Sequence, residues 1–178
     1  LDPYHYYSRE EALRLAKGLE SLNFLWLEEP MDEHSELSYK FLTSHTATPI
    51  CGPETAEGKY YTRANWIHNG ASDIGRAGAL TCGGITSCLK TIHLYEANGM
   101  SVEMHGNHIG NLHLLASMGI DGKYYERGLL HPFLDYEKPS AWLNSIYDKM
   151  DDDGNVILPN TPGLGYDWNF DYIENNLL

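Results

Sequence analysis

Trp26-Leu27-Glu28-Glu29-Pro30 is the stretch on which the fold turns. A short apolar run, Phe24-Leu25-Trp26-Leu27, stops there at Glu28. The same event recurs on either side. Leu1 runs into Asp2, and Thr48-Pro49-Ile50-Cys51 runs into Gly52-Pro53-Glu54. Asp2, Glu28 and Glu54 stand 26 residues apart. One strand plus one helix fits that period, so the three carboxylates are expected to end adjacent parallel strands on one rim. Three carboxylates brought together cannot all stay ionised without a cation. Hard oxygen donors of this kind suit Mg2+.

Between and beyond these points the chain alternates. Ser8-Arg9-Glu10-Glu11 is a capping-box pattern, and Ala12, Leu15, Ala16, Leu19 and Leu22 follow at helical spacing. A helix is therefore expected over 9–21, followed by a buried strand from Phe24 to Leu27. Ser35 can cap a second helix carrying Leu37, Phe41 and Leu42, which leads to a strand over 48–51. A short helix from about Arg63 to His68 stops at Asn69-Gly70. The pattern continues with a strand over Ser72–Arg76, a helix from about Thr86 to Ala97, and a strand over Met100–Met104 ended by His105. A helix over His108–Met118 and a short strand at Tyr124-Tyr125, ended by Glu126, complete it. This is α/β alternation, which implies a parallel sheet with helices outside. An open doubly wound sheet and a closed barrel both fit. The polar residues favour the barrel, because each strand offers its last residue to one site.

After Pro132 the character changes. Phe133–Met150 is polar and expected to be helical in part, and Val156-Ile157-Leu158 is expected as a short strand. Asp151-Asp152-Asp153-Gly154 lacks the spaced ligands and terminal Glu of a calcium loop and reads as a turn. This tail has too little apolar material for a core of its own and is expected to pack on something else.

The 178 residues carry a formal charge of −13 and no Lys/Arg run, which argues against a nucleic-acid partner. No apolar run approaches the ~20 residues of a membrane-spanning helix. Cys51, Cys82 and Cys88 lack CxxC spacing, so reduced thiols in a cytoplasmic protein are expected rather than a disulfide framework or a zinc site.

Taken together, these residues resemble the mandelate racemase branch of the enolase superfamily. Asp2, Glu28 and Glu54 stand at that family's three metal-ligand positions. His105 in Glu103-Met104-His105-Gly106-Asn107 stands at its seventh-strand histidine, and Glu126 in Tyr124-Tyr125-Glu126-Arg127-Gly128 at its eighth-strand glutamate. Asp73-Ile74-Gly75-Arg76 and Glu126-Arg127-Gly128-Leu129-Leu130-His131-Pro132 look like acid-sugar dehydratases, those of aldaric acids such as galactarate above all. The resemblance implies the C-terminal part of a (β/α) TIM-type barrel, with residues 1–132 running from the end of strand 3 through strand 8. It also implies a segment, 133–178, that returns to an α+β capping domain. The capping domain and first strands would belong to further polypeptide of the same protein, and the assembly to a homo-oligomer.

The activity so implied is a Mg2+-dependent dehydration of an aldarate or aldonate. The proton alpha to a carboxylate is removed, a metal-stabilised enediolate forms, and the beta hydroxyl leaves. A racemase or epimerase of the same superfamily, or a non-catalytic remnant that binds a metal or a partner, are the alternatives. His105 is the candidate base or acid, since a histidine pKa can sit near neutral pH. Glu126 is the second catalytic candidate. His5, Arg76 and Asn107 lie on the rim and can grip substrate hydroxyls or a distal carboxylate. One departure stands out: the sixth-strand Asp that orients the histidine in the family falls at Gly78, or Ala77 by strict counting. Asp73 is expected instead to pair with Arg76 or cap a loop, and Trp26 and Trp66 to serve packing.

Overall fold

The computed structural model describes residues 1–118, 124–127 and 137–177. Helix α1, Arg9–Glu20, starts where the capping box demands. Ser8 accepts the backbone N–H of Glu11, and the Glu11 carboxylate accepts the Ser8 N–H in return. Its inner face, Ala12, Ala16 and Leu19, is buried. Strand β1 is only Leu27–Glu28, and α2 spans Glu36–Thr43. Ser35 sits at the cap of α2 but makes no capping bond; its hydroxyl pairs with that of Ser38 at 2.7 Å. Strand β2, Ile50–Cys51, leads into a cis Gly52-Pro53 bond.

Helix α3, Lys59–Asn69, begins earlier than the sequence suggests, at Gly58, and ends at Gly70 with φ 65°. That left-handed conformation favours glycine, as the Asn-Gly stop implies. Then come β3 (Gly75–Ala77), α4 (Ile85–Ala97), β4 (Val102–Met104), α5 (Ile109–Leu115) and α6 (Phe170–Asn175).

The strands pair in parallel in two sets, β1 with β2 and β3 with β4. A parallel bridge between Cys51 and Ile74 joins the sets, so the order along the sheet is the order in the chain. On the outer side of β1, Leu1 donates to Trp26 O at 3.1 Å and accepts from Glu28 N–H at 2.8 Å, the alternation of a parallel pair. Two cores lie behind the sheet. One gathers Ala12, Ala16, Leu27, Tyr39, Leu42, Ile50 and Trp66; the other gathers Ala77, Cys88, Ile92, Tyr95, Val102, Met104 and Leu114.

Several expectations are corrected. Phe24 and Leu25 are exposed, so the buried part of that run is Leu27 alone. Tyr124-Tyr125 forms no strand. No helix forms within 137–150, and Val156 makes one antiparallel bridge, to Met150, rather than a strand. The boundary at Pro132 lies outside the described residues. The tail does lean on the rest: Tyr147 Oη donates to Asn107 O, and Leu164 O lies 3.1 Å from His113 Nε2. Asp151 Oδ1 accepts the N–H groups of Asp153 and Asn155, so the acidic run closes on itself as a turn.

Candidate active site

Parallel strands in one register deliver their C-terminal ends to one side. There the structure gathers Glu28 at the end of β1, Glu54 three residues past β2, Arg76 in β3, His105 after β4, and Glu126. Arg76 is the hub. Its guanidinium lies 2.5 Å from Glu28 Oε1, 3.5 Å from Glu54 Oε2 and 2.5 Å from Glu126 Oε2, and it donates to Met104 O at 2.8 Å. His105 Nδ1 is 2.8 Å from Glu54 Oε2 and 3.8 Å from Glu126 Oε2. Glu126 also accepts the Gly106 N–H at 3.0 Å. Beside this group lies a cavity of about 330 Å3, walled in part by Asp2, Trp26, Glu28, Arg76, Tyr124 and Glu126.

Burial and charge compete at each group. Burial raises the Glu28 pKa, and the opposing pull of Arg76 and of the Trp26 hydrogen bond does not cancel it. Burial would lower that of His105, but the Glu54 hydrogen bond and the charges of Glu54 and Glu126 outweigh it, and the net shift is upward. Burial also works against the Arg76 charge, and the surrounding carboxylates overcome it.

The sequence-predicted residues therefore divide. Glu28, Glu54, His105, Glu126 and Arg76 come together. Asp2 is exposed, shares the cavity wall with Glu28, and has Oδ1 engaged by the Tyr4 N–H at 2.9 Å. The expected metal trio is linked pairwise: Asp2 and Glu28 share the cavity wall, and Glu28 and Glu54 share Arg76. Among the described residues, the one trio of His, Cys or acidic side chains whose ligand atoms lie within 4.8 Å of one another is His5, Glu29 and Glu33. Arg76 supplies positive charge to Glu28, Glu54 and Glu126 from within the chain. Arg76 thus stands inside the acidic group rather than free on the rim. His5 is likewise committed, with Nε2 3.0 Å from Glu29 Oε2. Asn107 is half-buried, and its carbonyl takes the Tyr147 hydroxyl.

Among the described residues no ion pair joins Asp73 to Arg76. Asp73 Oδ2 accepts the Ile50 N–H at 2.8 Å and secures β2. Gly78 cannot carry an orienting carboxylate here, because a Cβ would stand 2.8 Å from His105 O. Glu54 faces His105 Nδ1 in its stead.

Sequence reasoning missed two roles. The Trp26 indole N–H donates to Glu28 Oε2 at 2.9 Å, so this ring positions a site carboxylate as well as packing. Glu29 and Glu33 hold the backbone of Glu54. The doubled acid at 28–29 was the available signal.

Glu28 and Glu54 fit a hard divalent cation. Both are buried, and each turns a carboxylate oxygen to the positive charge of Arg76. Asp2, on the same wall, can complete an all-oxygen donor set.

A family model described as "Enolase C-terminal domain-like" matches residues 1–172. The chain belongs to that family. Its fold is the family's (β/α)-barrel part. Among solved structures, D-glucarate dehydratase from Agrobacterium tumefaciens, complexed with magnesium, is similar with a TM-score of 0.94 and 52% identity, over 99% of this chain and 46% of that one. Among curated proteins, L-talarate/galactarate dehydratase of Salmonella typhimurium is 26% identical over 93% of this chain and 39% of its own length. Arabinonate dehydratase of Saccharolobus solfataricus is 28% identical over 93% of this chain and 43% of its own. The chain thus spans about two fifths of these curated enolase-family relatives.

Proposed function

We propose that this chain carries the metal and proton-transfer groups of a Mg2+-dependent dehydratase of a sugar acid, an aldarate of the glucarate or galactarate type. The observation that carries the reading is the grouping of His105 with Glu54, Glu28 and Glu126 at the C-terminal ends of parallel strands. The likeness to a magnesium-containing D-glucarate dehydratase supports the same chemistry. Asp2, Glu28 and Glu54 would hold the ion. When bound, it supplies positive charge beside the substrate carboxylate and so makes the alpha proton easier to remove.

The chain's own residues do the rest. Glu54 occupies His105 Nδ1 and leaves Nε2 to exchange a proton with the substrate. The alpha C–H bond breaks with its proton passing to a base, the beta C–O bond breaks, and the hydroxyl departs as water with a proton. The enol left behind becomes a 2-keto-3-deoxy acid. Glu126, held by Arg76 and the Gly106 N–H on the cavity wall, would orient the polar groups that meet the substrate. Asn107, and Arg76 and His5 on exchanging a protein carboxylate for the substrate, would bind the remaining hydroxyls and the distal carboxylate.

The test is incubation of the purified protein and Mg2+ with a panel of aldaric and aldonic acids, with assay for the 2-keto product. Turnover of an aldarate is expected, and its abolition by His105→Asn. No turnover of any acid sugar overturns the reading. Exchange of the alpha hydrogen for deuterium without loss of water would instead assign a racemase or epimerase.

A further inference from the structure

Residue 54 is gripped on every side, and its backbone more tightly than its side chain. Its N–H donates to Glu29 Oε1 and, at 2.6 Å, to Glu33 Oε1. The next N–H, of Thr55, also donates to Glu33 Oε1 at 3.1 Å, and the Thr55 hydroxyl to Glu33 Oε2 at 2.5 Å. On the opposite side the Arg63 guanidinium donates to Glu54 O at 2.9 Å and to Pro53 O at 3.2 Å. It also reaches Ala56 O and, at 3.3 Å, Lys59 O.

Arg63 is 0% exposed, and among the described residues no carboxylate lies within ion-pair distance of it. Glu29 is 0% exposed as well, and His5 Nε2 lies 3.0 Å from its other oxygen. Burying an unpaired guanidinium and two adjoining carboxylates is costly, and nothing in helix packing requires it. What the three have in common is one peptide segment. The acidic pair, in which burial and the adjoining Glu33 push the Glu29 carboxyl up to about 12, takes its N–H groups, and the cation takes its carbonyls.

The geometry points to Glu29, Glu33 and Arg63 as positioning residues that fix the carboxylate of Glu54 for ion binding and for its contact with His105. Glu29 and Glu33 form the acidic jaw, Arg63 the cationic jaw, and His5 braces Glu29. The inference rests on the reading of Glu54 as an ion ligand, and extends it to groups that never touch the ion.

The test is Mn2+ titration of the purified protein, followed by electron paramagnetic resonance, with amide hydrogen exchange of segment 52–56 as a metal-free readout. Arg63→Met and Glu33→Ala are expected to weaken Mn2+ binding about 10–100-fold, the usual consequence of losing an outer-shell partner. Exchange over 52–56 is expected to accelerate while that of α4 stays unchanged. Glu33→Gln keeps one accepting oxygen and is expected to restore most of the affinity. Where Arg63→Met does not fold, Arg63→Lys, which keeps charge but loses the planar fork, is expected to fall between Met and the parent. Folded variants with Mn2+ affinity within twofold of the parent and unaltered local exchange would overturn the inference. So would a second Mn2+ bound at His5, Glu29 and Glu33. If the parent itself binds no Mn2+, the ion-site reading fails, and the exchange data alone then decide the clamp.

Discussion

Arg76 holds Glu28, Glu54 and Glu126 in one acidic cluster. Removing its charge leaves buried carboxylates without compensation. Arg76→Met is therefore expected to cost about 3–5 kcal/mol of stability in urea denaturation. Adding Mg2+ should return part of that loss, because an ion that binds only the folded state stabilises by mass action; a loss indifferent to Mg2+ would argue against an ion among these acids. Far from the site, Glu20 Oε1 accepts the Ala47 N–H, the Lys17 ammonium and the Thr46 hydroxyl. The Ala47 hydrogen bond leads in lowering its pKa from 4.5 to about 2. A depressed folded pKa gives stability that is present above the unfolded value and lost as pH falls through the folded one. Glu20→Gln should therefore flatten the decline in stability between about pH 4.5 and 2, as read by urea midpoints across that window. At this scale the sequence was most legible where chemistry demands a residue type, as at Glu28, Glu54 and His105. It was least legible where one side chain serves another, as Trp26 serves Glu28 and Asp73 serves Ile50.

Helix caps show what local sequence settles and what it leaves to context. Ser8 and Ser35 both precede helices, yet only Ser8 closes a capping box. Ser8→Ala is expected to cost about 0.5–2 kcal/mol, and Ser35→Ala close to nothing, in the same denaturation assay. Equal losses would mean that the hydrogen-bond pattern at α1 is not what secures it. The close approach of β3 to α4 makes a sharper element-level prediction. A Cβ at Gly75 would lie 2.6 Å from the Tyr95 ring. Gly75→Ala should destabilise by about 1–3 kcal/mol through overpacking, with Tyr95→Leu partly relieving it in the double variant. The misreading of Phe24-Leu25 as buried strand has a plain cause. An apolar run has no period to reveal which residues face inward, and here only Leu27 meets α1 and β2.

The whole molecule is a succession of β/α units whose alternation was readable from apolar runs, caps and Asn-Gly stops. The tail was not, because residues 137–169, ahead of α6, are held by single bridges and hydrogen bonds rather than by periodic elements. A net charge of −13 acts on this architecture as self-repulsion. Moderate NaCl, which shortens the Debye length to about 10 Å at 0.1 M, should raise the thermal midpoint. The buried Arg76 cluster is screened less than the surface, so a fall in the midpoint would show that exposed ion pairs outweigh the repulsion. The bridge between Cys51 and Ile74 joins the two strand pairs, and Cys51, Cys82 and Cys88 are all free and 0% exposed. A maleimide in solution therefore finds no thiol until the sheet parts. Labelling at 51 would time the separation of the halves from each other, and labelling at 82 or 88 the loosening of the second half alone, so three native sulfurs make the chain its own stopwatch for opening.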